Sequence, residues 1–370
     1  LVLEAGGARG RLENGVQIED PKSKTTIRAA RAVYERLEQK VRLEGNPRLH
    51  SRNARDGDVH VTTRLMERDL AAAISYFKED VRISGRNFTV VADQGRLVDE
   101  EKKLYVEKDP LIFSQGSVLS GESLIYHLDE AKLSLDRDVV QLSYQEERVQ
   151  SPSASGNFTL EEFARMGGKP PSRFQEGSTE SVHSLTAGRM DYLPGNSERG
   201  AIIEVFDDVE VRQGGMHITS AYFMAGGPEL SEIYTREKVV MVDRKENVAV
   251  RAGEMHYDRN ARRLRLEKEP VIEFLKEGSQ EVTASLSGRL IERSFADGQT
   301  QARGNVVIVR DRLRLEGELA TYHEAEDVVV LEGRPSLRDG DSRIYCEKIL
   351  MFPRRGRLLL QNRIKGFLLN

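Results

Sequence analysis

Apolar and polar positions alternate along most of this chain with a period of two. The apolar pairs Val41/Leu43, Leu104/Val106, Leu133/Leu135, Leu264/Leu266, Val329/Leu331 and Leu358/Leu360 each flank a single residue. The residues between them, in the same order, are Arg42, Tyr105, Ser134, Arg265, Val330 and Leu359, mostly polar or amphipathic. Successive side chains of a strand point to opposite faces, so this period predicts strands with one buried face. Helical spacing is absent almost everywhere.

The alternating pairs lie inside a longer repeating unit that opens on Gly or Ala and reaches a Tyr a few residues on. Ala30-Arg31-Ala32-Val33-Tyr34, followed by Val41-Arg42-Leu43-Glu44-Gly45-Asn46-Pro47-Arg48-Leu49, matches Gly317-Glu318-Leu319-Ala320-Thr321-Tyr322, followed by Val329-Val330-Leu331-Glu332-Gly333-Arg334-Pro335-Ser336-Leu337. Further copies open at Gly95 and Gly253, and weaker ones near Arg64, Ser123, Gly188, Ala221, Gly288 and Glu347, so about ten units recur at roughly 28 to 35 residues apart with one gap. The prolines Pro47, Pro110, Pro270 and Pro335 each fall four residues after the last alternating apolar residue, where the chain should turn or begin a new strand. A third segment of the form apolar-x-small, as in Leu119-Ser120-Gly121, Leu185-Thr186-Ala187, Ile218-Thr219-Ser220 and Val282-Thr283-Ala284, leads into the next unit. The pattern predicts a meander of antiparallel strands folded over as two layers with a common apolar interior. Polar turns such as Arg338-Asp339-Gly340-Asp341 read as hairpin loops. The rival architecture is a right-handed parallel β-helix of the polysaccharide-binding or lyase kind, which would stack parallel rungs.

The gap runs from 145 to 183 and contains Ser151-Pro152-Ser153 and Gly167-Gly168-Lys169-Pro170-Pro171. Within it, 159–168 carries a Thr N-cap, a Glu three residues later and a terminal Gly pair, the marks of one short helix. The expected organisation is a first β segment over 1–144, an insertion over 145–187, and a second segment over 188–370 continuous with the first.

The stretch from Gly317 to Arg363, GELATYHEAEDVVVLEGRPSLRDGDSRIYCEKILMFPRRGRLLLQNR, resembles the core text of the OstA-like lipopolysaccharide-transport family, the family of LptA, LptC and the amino-terminal part of LptD. The segment from Ala30 to Leu49 carries the same pattern. What the resemblance implies is an elongated, open, twisted antiparallel β-jellyroll, a β-taco, whose groove shelters lipid A acyl chains in the periplasm. It implies lipopolysaccharide or a related glycolipid as ligand, LptC-like and LptD-like proteins as partners, and head-to-tail association of copies. This chain is about twice as long as a compact LptA and carries the insertion.

On the groove reading, the residues facing the lipid are Val41, Leu43, Leu49, Leu104, Val106, Ile112, Leu133, Leu135, Leu264, Leu266, Ile272, Phe274, Val329, Leu331 and Leu337. The alternative is that the same residues fill a dry core between two layers, since the periodicity is identical in both cases. The last unit, with Lys348-Ile349-Leu350-Met351-Phe352 and Leu358-Leu359-Leu360, has no evident polar cap, so its strand is expected to offer backbone groups to another molecule.

Composition narrows the partners. The chain has 370 residues, 38% of them hydrophobic and 31% charged, with no Trp, which suits a thin, extended core. Lys and Arg number 56 against 60 Asp and Glu, interleaved throughout, which argues against nucleic acid as the main partner. One cysteine, Cys346, permits no internal disulfide and leaves the compartment open. No apolar run is long enough to span a bilayer, and a start at Leu1 suits a chain from which a signal peptide has been removed.

Catalytic chemistry is not apparent. Zinc-protease, paired-cysteine, phosphate-loop and nucleophile-elbow motifs are missing, so no enzyme activity and no cofactor are expected. Gly6-Gly7-Ala8-Arg9-Gly10 reads as a flexible terminus. His127, His256 and His323 stand beside the tyrosines Tyr126, Tyr257 and Tyr322 and read as repeat-surface residues. Asp207-Asp208, Glu146-Glu147 and Glu100-Glu101 read as solvated carboxylates in turns, and Cys346 as a packing or surface residue.

Overall fold

The computed structural model describes residues 2–3, 8–21, 24–53, 57–86, 88–114, 117–144, 182–193, 200, 202–213, 215–227 and 230–367. The described residues form 33 strands and no α-helix, and every described strand pairing is antiparallel. The β-helix alternative fails on this point, because its rungs would pair in parallel. The expected helix over 159–168 and the pair Glu146-Glu147 lie outside the described residues.

The chain divides into two compact units, Leu1–Val205 and Phe206–Asn370. The division falls inside the strand Ile202–Gln213. Lys132–Tyr144 pairs with Val182–Leu193, from Leu133 opposite Tyr192 to Tyr144 opposite Val182, so the two strands that flank the insertion are partners in one antiparallel pair.

In the second unit the pairings separate into two layers. One carries the repeat tyrosines and is called the tyrosine layer; it runs through the later half of Val248–Asp258, then Arg263–Glu267, Leu290–Ser294, the first half of Gln299–Arg310, the later half of Leu313–His323, Val328–Glu332, Lys348–Phe352 and Arg357–Gln361. The other is entered after the prolines and is called the proline layer. It runs through the first half of Val248–Asp258, then Val271–Leu275, Val282–Ser287, the later half of Gln299–Arg310, the first half of Leu313–His323, Ser336–Asp339, Ser342–Tyr345 and Lys365–Phe367. Long strands therefore belong to both layers and bend between them, whereas short strands do so in pairs across a corner. The first unit repeats the arrangement: Ile74–Lys78 pairs with Leu65–Asp69 in the tyrosine layer, and Arg82–Ser84 pairs with Gly57–Thr62 in the proline layer.

The corners have two chemistries. Passage from the tyrosine layer to the proline layer is made through consecutive residues of positive φ: Glu79-Asp80 (64°, 53°), Arg137-Asp138 (56°, 48°), Asp207-Asp208 (64°, 50°), Glu237-Lys238 (63°, 55°) and Gly304-Asn305 (74°, 50°) inside long strands. Between short strands the same pair stands before the proline, as Gly45-Asn46, Lys108-Asp109, Lys268-Glu269 and Gly333-Arg334. Left-handed backbone costs an L-residue roughly 1–2 kcal/mol, so its recurrence marks a bend that the fold imposes. Pro47, Pro110, Pro270 and Pro335 are buried at these corners, where the ladder is broken and a missing N–H costs nothing.

Return to the tyrosine layer is made at the small residue that opens each repeat. Its corner is laced to the neighbouring one by backbone hydrogen bonds: Gly253 N donates to Lys268 O at 2.9 Å, Glu122 N to Arg137 O at 3.1 Å, and Arg289 N to Arg303 O at 3.0 Å. The two corners approach so closely that a Cβ at Gly317 would sit 2.9 Å from Leu331 Cδ1 and 3.0 Å from Glu332 O. This contact explains the glycine at this corner. Leu119-Ser120-Gly121 and Leu185-Thr186-Ala187 do lead into such corners, but Val282-Thr283-Ala284 does not. It starts its strand, and the corner comes four residues later, at Gly288.

Asp207-Asp208 is thus a mid-strand bend rather than a loop, while Glu100-Glu101 does lie in a turn. Arg338-Asp339-Gly340-Asp341 closes a hairpin with Asp339 opposite Ser342. Gly317→Val should force these corners apart and lower the free energy of unfolding by about 1–3 kcal/mol, read as a fall in the denaturation midpoint. An unchanged midpoint would contradict the corner packing.

Candidate functional site

Between the layers of each unit, the inward-facing residues form rows that follow the strand register. In the second unit the inner row of the tyrosine layer is Met255, Leu266, Ile291, Ala302, Ala320, Leu331 and Ile349, each directly opposite the next. Facing it, the proline layer presents Val250, Ile272, Leu286, Ile308, Leu315, Leu337 and Ile344. Residues of both rows belong to a single apolar cluster. One step further from the corners runs an outer row, Tyr257, Leu264, Arg293, Thr300, Tyr322, Val329, Met351 and Leu358, which forms one lip of the interior. The repeat tyrosines are lip residues, and His256 and His323 beside them lie on the opposite, outward face.

The fifteen residues predicted to face the interior fall into this scheme unevenly. In the first unit Val41, Leu43, Leu49, Leu104, Val106, Ile112, Leu133 and Leu135 are all buried by protein. In the second, Leu264, Leu266, Ile272, Leu331 and Leu337 are buried, Val329 is half-buried, and Phe274 is 40% exposed. Phe274 stands opposite Val248 and Ala284 on the lip of the proline layer. The interior is therefore filled by the protein's own side chains, and its exposed inward-facing apolar surface is concentrated at the mouth of the second unit.

The first unit's mouth is sealed by contacts that span its layers. Phe88, at the proline-layer lip, packs on Tyr126 of the tyrosine-layer lip with ring centroids 5.1 Å apart. Arg68 occupies the tyrosine position of its repeat, opposite Val41 and Ser75. Its Nη1 donates to Ser75 Oγ at 3.0 Å and its Nη2 to Asp99 Oδ2 at 2.5 Å, with Asp20 Oδ2 of the proline layer 3.5 Å away. The Arg68 and Asp99 side chains are only 7% and 8% exposed, so this pair sits in low dielectric and neither charge can be left alone cheaply. Arg68 was missed in the sequence because nothing in a single repeat distinguishes a buried lip arginine from a solvated one.

The second unit's lip is looser. Arg293 again replaces the repeat tyrosine. It lies 5.0 Å over the Phe295 ring, its Nη2 reaches Glu324 Oε2 at 3.1 Å, and its Nε is buried with no hydrogen-bond partner among the described residues. Tyr257 meets Phe295 edge to face, 6.0 Å between centroids, within the same lip. Arg310 Nη1 donates to Pro353 O at 2.6 Å, a hydrogen bond across the mouth near the end of this unit.

Two surface depressions lie on the corner lines rather than between the layers. One, of about 280 Å³, is bounded by Glu107, Glu122 and Arg137, and the other, of about 530 Å³, by Asn305, Glu316, Glu318 and Arg334. Cys346 is a core residue whose thiol lies 3.4 Å from Lys348 O, and burial pushes its pKa up.

The class of protein these features define is an all-β chain of bent antiparallel strands enclosing an apolar interior. No protein-family model and no curated protein matches it. Among solved structures it is similar to LptH of Pseudomonas aeruginosa, described as the LptA-homologous periplasmic component of the conserved lipopolysaccharide transport device. The identity is 15%, 35% of this chain and 99% of that chain are covered, and the TM-score is 0.30. At that TM-score, fold and function rest on this chain's own residues.

Asp99→Ala should leave Arg68 with only its longer contact to Asp20 and lower stability by about 2–4 kcal/mol, somewhat less than the loss of a buried charge's sole partner, measured by denaturant titration, and a loss below about 1 kcal/mol would contradict the seal. Cys346, with its raised pKa, should react with a disulfide reagent at pH 8 far more slowly in the native state than in denaturant. Equal rates would contradict its burial.

Proposed function

We propose that the chain is a non-catalytic carrier of an amphipathic glycolipid of the lipopolysaccharide class, acting in the periplasm and sheltering acyl chains between its two β layers. The observation that carries this reading is the half-exposed apolar lip of the second unit, with Phe274, Tyr257, Val329 and Leu358 standing above a continuous buried row. Contiguous exposed apolar surface marks a place where another apolar group docks, and at this mouth Phe274, 40% exposed, stands with the half-buried Tyr257, Val329 and Leu358. The repeat text from Gly317 to Arg363, which resembles the OstA-like family, supports the choice of lipid.

Each methylene moved out of water contributes about 0.8 kcal/mol, so an acyl chain of a dozen carbons offers on the order of 10 kcal/mol. That exceeds the cost of parting one lip contact and needs no directional chemistry. Arg293, partly exposed at the lip beside Glu324, supplies a cation for an anionic headgroup while the acyl chains go inward. Binding begins at the second unit and requires the layers to part, because the inner row of the tyrosine layer is buried by the protein's own side chains.

Docking to further copies, or to LptC-like and LptD-like proteins, fits the last strand of the tyrosine layer. Among the described pairings, Arg357–Gln361 is bonded on one side, to Lys348–Phe352, and Leu359 on it is 48% exposed. An edge of this kind accepts a strand from another chain.

A photoreactive residue at Phe274 or Val329 should capture lipopolysaccharide, whereas one at the outward-facing Arg265 should not. Capture from Arg265 alone would overturn the reading.

A further inference from the structure

On the outward face of the first unit's proline layer, three metal-binding side chains converge that the glycolipid reading does not use. Strands Arg48–Asn53 and Gly57–Thr62 form a hairpin in which His50 is directly opposite His60, and Asp58 lies two residues before His60. Leu49, Ser51, Val59 and Val61 of the same strands are buried, so the strand alternation sends His50, Asp58 and His60 together to the other side. The two imidazole rings are stacked, with centroids 4.6 Å apart and planes 4° from parallel. His50 Nε2 is 2.7 Å from Asp58 Oδ2, yet it is buried and makes no bond of hydrogen-bond geometry. One donor atom from each of the three residues lies within 4.8 Å of the others.

We propose that His50, Asp58 and His60 bind one divalent transition-metal ion, with zinc as the reference case. Bonds of about 2.0–2.1 Å in a tetrahedral shell place donors roughly 3.3 Å apart, so on binding the partly exposed side chains must draw together and the two rings turn out of their parallel stack to aim at one ion. Two imidazoles and one carboxylate suit zinc, copper, nickel or cobalt and disfavour calcium and magnesium, which take oxygen donors. Three protein ligands leave a fourth position for water or for a group from another molecule. The ion would tie the two strands together on the face away from the interior, so the site stands or falls independently of lipid binding. Arg52 stands directly opposite Asp58 in the ladder.

The test is calorimetric titration of the chelator-treated full chain with zinc chloride, together with its thermal midpoint with and without zinc. The expected result is one saturable zinc ion per chain and a raised midpoint, with His50→Asn and His60→Asn each weakening binding about tenfold or more. His127→Asn, on a different hairpin, should bind as the parent does. Absence of saturable binding below millimolar zinc, or binding that survives the His50→Asn/His60→Asn double variant, overturns the proposal. The asparagine variants' midpoints without zinc show whether they are folded, so lost affinity is read only on a folded chain.

Discussion

The fold depends on a backbone bend that L-residues resist. Each passage from the tyrosine layer to the proline layer described above uses two successive residues of positive φ, including charged side chains such as Glu237 and Lys238 that have no intrinsic preference for that region. What holds them there is the adjacent corner, whose amide donates to the bent carbonyls, together with the apolar rows that the bend brings face to face. Remove the bend and the alternating strands would make a flat sheet with one greasy side exposed.

With that constraint in place, the contents of the interior follow from what stands at the lip. A tyrosine there can lie half in water with its ring covering the row beneath, which suits an amphipathic side chain. An arginine at the same position behaves according to its neighbours. Arg68 has Asp99 and Asp20 and becomes part of a buried seal, whereas Arg293 has an exposed partner, Glu324, and remains at a partly open mouth. Two units built from one repeat thus differ in access to their interiors through a few lip residues rather than through a different architecture.

Much of this was legible in the sequence, because the period of two and the repeat are direct consequences of the geometry. A glycine opening a unit, as at Gly253 and Gly317, marks a close approach of two corners, and the buried prolines mark the opposite corners. Bends within long strands were less visible: Glu79-Asp80 and Arg137-Asp138 look like ordinary polar residues, since their conformation is imposed by neighbouring strands. The apolar set was assigned to the interior by periodicity, but its degree of exposure was not readable, because Leu104 and Val329 share a pattern while differing in what covers them. Arg68 with Asp99, 31 residues on, and the His50/His60 pair across its hairpin arise from register, which no local motif records.

The central claim is that acyl chains enter between the layers past the second unit's lip. The chain has no tryptophan, so a single one at Phe274 is an unambiguous fluorescent reporter. Its emission should shift to the blue on adding lipopolysaccharide and be quenched by lipid carrying brominated acyl chains, while a tryptophan at the outward His256 stays unquenched. Equal quenching at both positions, or none at Phe274 while lipid is demonstrably bound, would contradict the account.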